Sequence, residues 1–503
     1  MDAIDQLKQD LRDGRIDINR LFDVIVTLQR QLEAAKQRIE EFEKNAGGAT
    51  PPATAKVDAP FSMREEEKRQ KKRGKNKSKL SKKARRGRLT SADKLKLAER
   101  TERCFPQGVS EKDCQLSHTR PVWRLENGRA IVVAYEIYRG PKNQYGKVPG
   151  VLGRSEFGME IVVEIAYFVY VMGLSFDKVC LTLQFLQNLK LSKTQADRLL
   201  RQLSQHWQSE FDVLCTLLAN SLVVHADETS WSINSVWAFL SEKARVVLFG
   251  VHKDAETLEK ILDPATFAGL VISDDAAVYA NFSQSQKCWA HLLRKAIKLT
   301  LQEPDNLEYR EFTDRMLEIY RAACRVQKDQ RMSAAGRTKK VAGLDDKILE
   351  LCAALWVLEL PPLEASPAND YRLLVNEMMR LMLDKQLFTF VTAESAPQPN
   401  GKCEPVSGTN NEAERTLRNP AAARKTGRAN KTLVGARRQT IIVSVLESLR
   451  VYLPTFTLGS VMKEINHWWQ TGQSCFSKLL KKMKLEQPAQ SILDKVLPMP
   501  DSS

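Results

Sequence analysis

Two apolar runs that end in aspartate constrain this chain more than any other feature. Leu222-Val223-Val224-His225-Ala226-Asp227 and Leu270-Val271-Ile272-Ser273-Asp274 each carry apolar residues into a carboxylate. Continuous runs of this kind, without polar alternation, predict strands buried on both faces of a sheet. A carboxylate there is costly unless it meets a cation. Side by side, the two strands would converge two carboxylates on one point. The surrounding segments agree, because SVWAFLSEK, ARVVLFGVHK and the helical DAETLEKIL lie between them. Strand, strand, strand, helix, strand is an α/β order.

The formal charge of +16 points to a polyanionic partner, with nucleic acid first. Much of the excess lies between Lys68 and Arg88, a run without acids that includes Lys71, Lys72, Arg73, Lys82, Lys83, Arg85 and Arg86. Such a run cannot fold on itself, and it would gain affinity for DNA by releasing counterions from phosphates. Upstream, Ile18, Leu21, Ile25, Leu28, Leu32, Ala35, Ile39 and Phe42 alternate threes and fours, a coiled-coil seam that predicts a homodimer or higher homo-oligomer. A single amphipathic helix docked on its own protein is the other reading. Residues 46–62 have the composition of a flexible linker. No apolar stretch has the length of a membrane span, and the N-terminus lacks a signal peptide's apolar core, so a cytoplasmic protein without a membrane partner is expected. Nine cysteines at wide spacings predict free thiols.

Residues 121–139 read as a hairpin about Asn127-Gly128. Cys104, Cys114 and His118 precede it, but three donors at wide spacing do not make a tetrahedral site, and no structural zinc is expected. From Phe157 to Trp207 the period becomes helical, with a break at Gly173, a second helix from Ser175 and a third opening at the Ser192–Gln195 capping box. The third carries Lys193 and Arg198. These helices resemble a helix-turn-helix as much as an ordinary bundle.

A third acid comes from GTNNEAERTLRN, where Glu414 falls in the first turn of a helix beside Arg415 and Arg418, with Arg424, Lys425, Arg428, Lys431, Arg437 and Arg438 further along. Hard divalent cations take oxygen ligands, commonly one or two carboxylates plus phosphate oxygens, which suits phosphodiester chemistry. Asn411 with Glu414 is also a capping-box arrangement, so a purely structural role stays open.

Four motifs in order carry a family resemblance: His225-Ala226-Asp227-Glu228-Thr229; Ser273-Asp274-Asp275-Ala276-Ala277-Val278-Tyr279; Cys288-Trp289-Ala290-His291-Leu292-Leu293-Arg294-Lys295; and Asn410-Asn411-Glu412-Ala413-Glu414-Arg415 with Arg418 and Pro420. Over roughly residues 120–470 the chain resembles the insertion-sequence-66 type of bacterial DDE transposases. The resemblance implies an RNase H-like mixed sheet with flanking helices. Asp227, Asp274 and Glu414 would be its catalytic residues and its ligands for two Mg2+ or Mn2+ ions. Tyr279, five residues after the catalytic aspartate, selects Asp274 over Asp275. The family's N-terminal zinc ribbon normally carries CxxC pairs, which are absent here.

The expected layout is a coiled coil (1–45), linker and basic DNA-binding arm (46–100), small hairpin region (101–145), helix-turn-helix-like domain (146–218), first part of the core (219–300), α-helical insertion (301–400), last part of the core (401–470) and a C-terminal tail (471–503). The implied partner is double-stranded DNA, as element ends and target, with accessory transposition proteins a further candidate. DNA contacts are expected from the arm, Lys193, Arg198 and the basic residues after the third acid, Arg415, Arg418, Arg424, Lys425, Arg428, Lys431, Arg437 and Arg438, for which a simple solvated face is the other reading. The rival functions are a metal-dependent nuclease that does not join ends and a catalytically inactive dimeric DNA-binding protein. Glu228 and Glu412 compete for the acid roles, but alternation in a strand and the angle around a helix turn them away from Asp227 and Glu414. His225 and His291 read as either phosphate contacts or interior histidines, and Trp231 and Trp289 as core.

Overall fold

The computed structural model describes residues 89–329, 331–356, 366–488 and 490–498. The coiled-coil seam and the basic arm lie outside them. No described helix is long and apolar enough to cross a membrane.

Helix α1 (Ser91–Leu95) and strand β1 (Ala98–Cys104) come first, so the boundary drawn at residue 100 falls inside a strand. β1 has no apolar alternation to announce it. It is recruited by tertiary pairing, parallel to β3. Strands β2 (Gln115–Glu126) and β3 (Arg129–Arg139) form the hairpin that Asn127-Gly128 predicts. Both turn residues take positive φ, 50° and 77°, as a tight primed turn requires.

Four helices come next: α2 (Met159–Ala166, continued by a π-helical turn), α3 (Phe176–Gln187), α4 (Lys193–His206) and α5 (Gln208–Ala219). Ser192 and Gln195 make the reciprocal capping box at the start of α4. The buried faces of these helices share one apolar core with the main sheet.

That sheet contains β4 (Val223–Ser230), β5 (Ser235–Ser241), β6 (Arg245–Val251), β7 (Leu270–Ser273) and β8 (Ser285–Lys287), in the order β6-β5-β4-β7-β8; helix α6 (Ala255–Glu259) lies between β6 and β7. β4, β5 and β6 are antiparallel, and β7 and β8 add in parallel. Edge strand β6 is closed by helix α13 (Leu433–Tyr452). The N–H groups of Arg245, Val247 and Phe249 donate to the hydroxyls of Ser448, Ser444 and Thr440 at 2.9, 2.9 and 3.0 Å. Two residues of strand advance about 6.7 Å and four of helix about 6.0 Å, so a hydroxyl every fourth helical residue meets every second strand residue.

Between β8 and the last part of the core run α7 (Trp289–Gln302), α8 (Leu307–Lys328), α9 (Ala334–Cys352), α10 (Pro367–Leu383) and α11 (Thr389–Thr392). They pack around their own core of Phe312, Met316, Ile348, Leu374 and Met378, which reaches the sheet through Leu270 and Ile272. Helices α8 to α11 fall within the segment 301–400 expected as an insertion, and α7 precedes it. Helices α12 (Asn411–Lys425), α13, α14 (Leu458–Thr471), α15 (Cys475–Lys482) and α16 (Ile492–Val496) complete the chain. The segment expected as a tail is built into the main core through Phe476, Leu480, Leu493 and Val496, and Phe476, Leu479, Leu480 and Met483 stand at helical spacing in the sequence.

Candidate active site

The sheet register brings the two aspartates together. Val223, Val224 and His225 of β4 pair with Leu270, Val271 and Ile272 of β7. Continued by two residues, the same register sets Asp227 opposite Asp274, just past the end of β7. Each carboxylate is oriented by a backbone donor: Asp227 Oδ1 accepts from Glu228 N–H at 3.0 Å and Asp274 Oδ1 from Ala276 N–H at 3.1 Å.

Glu228 comes after Asp227 and points to the other face of β4. There its carboxylate accepts from Lys253 Nζ at 2.6 Å and from the Tyr279 hydroxyl, with Trp237 beside Tyr279. Tyr279 therefore joins the loop after β7 to the residue next to Asp227. Asp275 is exposed and paired with Arg380 of α10.

Helix α12 is fixed by Asn410, which is fully buried. Its Nδ2 donates to Ala226 O at 2.7 Å and its backbone N–H to Cys288 Sγ at 3.1 Å. One residue thus ties the start of α12 both to the residue before Asp227 and to the start of α7. Asn410, not Asn411, is the N-cap, and its side chain does not cap the helix. The capping-box reading of Asn411 with Glu414 is overturned, because Asn411 is already the first helical residue. Glu414 N–H makes an ordinary helical bond to Asn410 O at 3.1 Å, leaving its carboxylate for tertiary contacts. These are Arg294 Nη2 at 2.5 Å and His291 Nε2 at 3.6 Å. Glu412 diverges, as the angle around the helix predicts, and pairs with Arg245.

The electrostatics report the convergence. Burial, with the negative charges of Glu228, Asp274 and Glu414, pushes the Asp227 carboxyl up to about 7, against which its backbone hydrogen bond works only in part. A cation placed there would relieve that repulsion. Crowded carboxylate oxygens, only partly balanced by Arg294 and Lys253, are the set a hard divalent cation takes, so these residues fit one.

Nothing in the sequence singles out Lys287 or Lys253. Lys287 is buried on β8, with Nζ donating to Asp274 O at 3.1 Å; burial lowers its pKa, and the carboxylates of Asp275 and Asp274 oppose this. No periodicity marks a lysine of this kind. Its only signal is its place immediately before the Cys288 motif. From Asp274 a cleft of about 710 Å3 opens towards α10, lined by His291, Lys295, Leu373 and Arg380 among others.

The other expected positions separate into two groups. Lys193, Arg198, Arg415, Arg418 and Lys425 are exposed, Lys193 in an ion pair with Asp177 at 2.9 Å. Arg424 is half-buried and donates to Ser230 O at 2.8 Å. Arg437 and Arg438, expected along DNA, are instead committed internally: Arg437 binds Asp494, and Arg438 binds Asp197 at 2.6 Å and the Tyr170 hydroxyl at 2.8 Å. Trp231 and Trp289 are core, and His225 is half-buried, near Glu412 and Asn410. Cys104, Cys114 and His118 do not converge. Among the described residues, the metal-capable group of histidine, cysteine and acid is Cys288, His291 and Glu414, whose ligand atoms lie within 4.8 Å of one another.

Fold and site together define an α/β protein whose mixed sheet and one tethered helix assemble an acidic centre suited to a divalent cation. Residues 154–438, more than half the chain and spanning all three acids, match the transposase IS66 family, and the chain belongs to that family. It is accordingly a transposase by family, a class of enzymes that process DNA. No curated protein matches the chain significantly.

Proposed function

We propose that the protein binds the ends of an insertion element, cleaves DNA phosphodiesters there and joins the freed 3′-hydroxyl to target DNA, with Asp227, Asp274 and Glu414 holding two Mg2+ or Mn2+ ions. The observation that carries this reading is the Asp227 carboxyl pushed up to about 7 by burial and by neighbouring carboxylates that include Asp274 and Glu414. A mixed sheet with one aspartate within β4 and a second just past the end of the adjacent parallel strand β7, and a third acid on a helix after a long insertion, supports the RNase H-like assignment.

Bound there, such ions would stabilise charge on the entering and leaving oxygens of an in-line displacement. The chain's own residues supply the frame. Backbone N–H groups of Glu228 and Ala276 orient the two aspartates, Asn410 sets the height of α12 over β4, and Lys287 braces the backbone of Asp274. In the first step water attacks phosphorus and the bond to the 3′-oxygen breaks, leaving a 3′-hydroxyl and a 5′-phosphate. In the second, that hydroxyl attacks a target phosphodiester and displaces the target's own 3′-oxygen. One diester replaces another, so joining needs no external energy source. Exposed Arg415, Arg418 and Lys425 on α12, with Lys193 and Arg198 on α4, supply cations for the phosphate backbone, together with the arm. A helix-turn-helix role for α3 and α4 belongs to the same proposal.

The test is a labelled duplex carrying the element's terminal sequence, incubated with Mg2+ and target DNA. Asp227→Asn, Asp274→Asn and Glu414→Gln should each abolish cleavage and joining while DNA binding persists, and Asp275→Asn and Glu412→Gln should retain both activities. Cleavage by Glu414→Gln would refute the assignment of the third acid. Cleavage without joining in the unmodified protein would favour the nuclease.

A further inference from the structure

We propose that Cys288, His291 and Glu414 form a second, reversible site for a thiophilic divalent cation of the Zn2+ class, which occupies the third carboxylate and so inhibits the Mg2+-supported reaction. Binding at this site stands on the three side chains alone, whereas the inhibition rests on the role proposed for Glu414.

The donor set is the first argument. Sulfur and imidazole nitrogen with one carboxylate suit zinc and its relatives, and magnesium avoids them. The ligand atoms of the three residues lie within 4.8 Å of one another. His291 Nε2 and Glu414 Oε1 are 3.6 Å apart, too far for a hydrogen bond. Two ligands of a tetrahedral zinc with bonds of about 2.0–2.1 Å are separated by roughly 3.3 Å, so this pair needs to move only a few tenths of an ångström. Cys288 is buried at the start of α7, where the Asn410 N–H donates to its sulfur at 3.1 Å. Burial raises the pKa of the thiol, so an arriving cation must displace its proton to bind the sulfur. His291 is partly exposed towards the cleft beside Asp274, which gives an ion its way in.

Two features make the site reversible rather than structural. Three protein ligands leave a fourth position for water, the pattern of open zinc sites. His291 Nδ1 is buried without a hydrogen-bond partner, so the outer-shell contact that normally orients a zinc-bound imidazole is missing. Arg294 also holds Glu414 Oε1 at 2.5 Å and must yield it when the ion binds.

The full-length protein, free of DNA, is titrated with Cd2+ and then with Zn2+ as competitor, in the presence of Mg2+. One ion should bind per chain with a sulfur-to-metal charge-transfer band, displaced by Zn2+ and not by Mg2+. Cys288→Ala should abolish the band, and His291→Gln and Glu414→Gln should each weaken binding at least tenfold. Arg294→Gln should tighten it. Cys403, the exposed cysteine, is replaced by serine throughout to remove a surface thiolate. His291 and Glu414 are not fully buried, so their variants decide the matter even if Cys288→Ala fails to fold. Unchanged affinity in both would overturn the site. If Zn2+ binds as described but Glu414→Gln still cleaves DNA in Mg2+, the site stands and the reading of Glu414 as the third catalytic acid falls.

Discussion

Asp227→Asn should stabilise the protein when no metal is bound. The carboxyl rises from 3.8 to about 7 because it is buried among like charges. Three units correspond to about 4 kcal/mol at about 1.36 kcal/mol per unit, and partial access of solvent to the group reduces this to about 2–3 kcal/mol. Asp227 binds its proton more tightly in the native protein than in the unfolded chain. The stability this confers is complete below about pH 4 and is lost as pH rises through about 7. Asparagine carries no charge at any pH and escapes that loss. In chelator, the advantage of the variant should therefore grow from near zero at pH 4 to its full value by pH 8. Adding Mg2+ at pH 8 should reverse the order, raising the melting temperature of the unmodified protein and leaving that of the variant nearly unchanged. Thermal unfolding monitored by circular dichroism across pH 4–8 measures both effects. A variant no more stable than the parent at pH 8 in chelator would show that Asp227 does not sit in an acidic cluster only partly balanced by cations.

Three further outcomes can be measured directly. Ser444→Ala leaves the Val247 N–H buried against α13 without its acceptor, so urea unfolding should show a loss of about 1–3 kcal/mol, and a loss near zero would mean that water reaches the strand edge. Deleting residues 63–88 should weaken DNA binding and flatten its dependence on salt, since phosphate contacts set that slope; equal slopes would show that the arm never touches DNA. Deleting residues 1–45 should reduce the mass measured by light scattering to that of a monomer, and an unchanged mass would refute the coiled-coil dimer.

The elements legible in the sequence are those whose determinants are local or periodic. Leu222–Asp227 and Leu270–Asp274 announce strands through continuous apolar side chains, Asn127-Gly128 a turn through positive φ, and Ser192 with Gln195 a helix start through reciprocal hydrogen bonds. The elements that escape such reading depend on partners far along the chain. β1 is a strand because β3 offers it an edge, and its own residues, AERTERC, carry no pattern. Arg437 and Arg438 look like DNA contacts by charge, yet Asp494 and Asp197 bind them. Asn410 and Asn411 are equivalent as caps in sequence. The choice between them is made by Ala226 O, which takes the amide of Asn410.

That same contact explains how a site drawn from distant segments keeps its geometry. Asp227 and Asp274 are set by backbone pairing of adjacent strands, a rigid relation independent of the chain beyond β7. Glu414 comes after a helical insertion with its own core, and it is tied to that insertion through the first helix, at Cys288 and Arg294 of the α7 segment. Asn410 Nδ2 fixes the first turn of α12 to the residue before Asp227, its backbone N–H fixes the same turn to Cys288, and Glu414 stands one helical turn later. The insertion shapes the cleft beside Asp274 through Lys295, Leu373 and Arg380. Arg294, placed on α7 by the same junction, holds Glu414 by charge until a cation competes for its oxygen. The third acid is thus the adjustable member of the set, and it is the one a competing ion at Cys288 and His291 would capture.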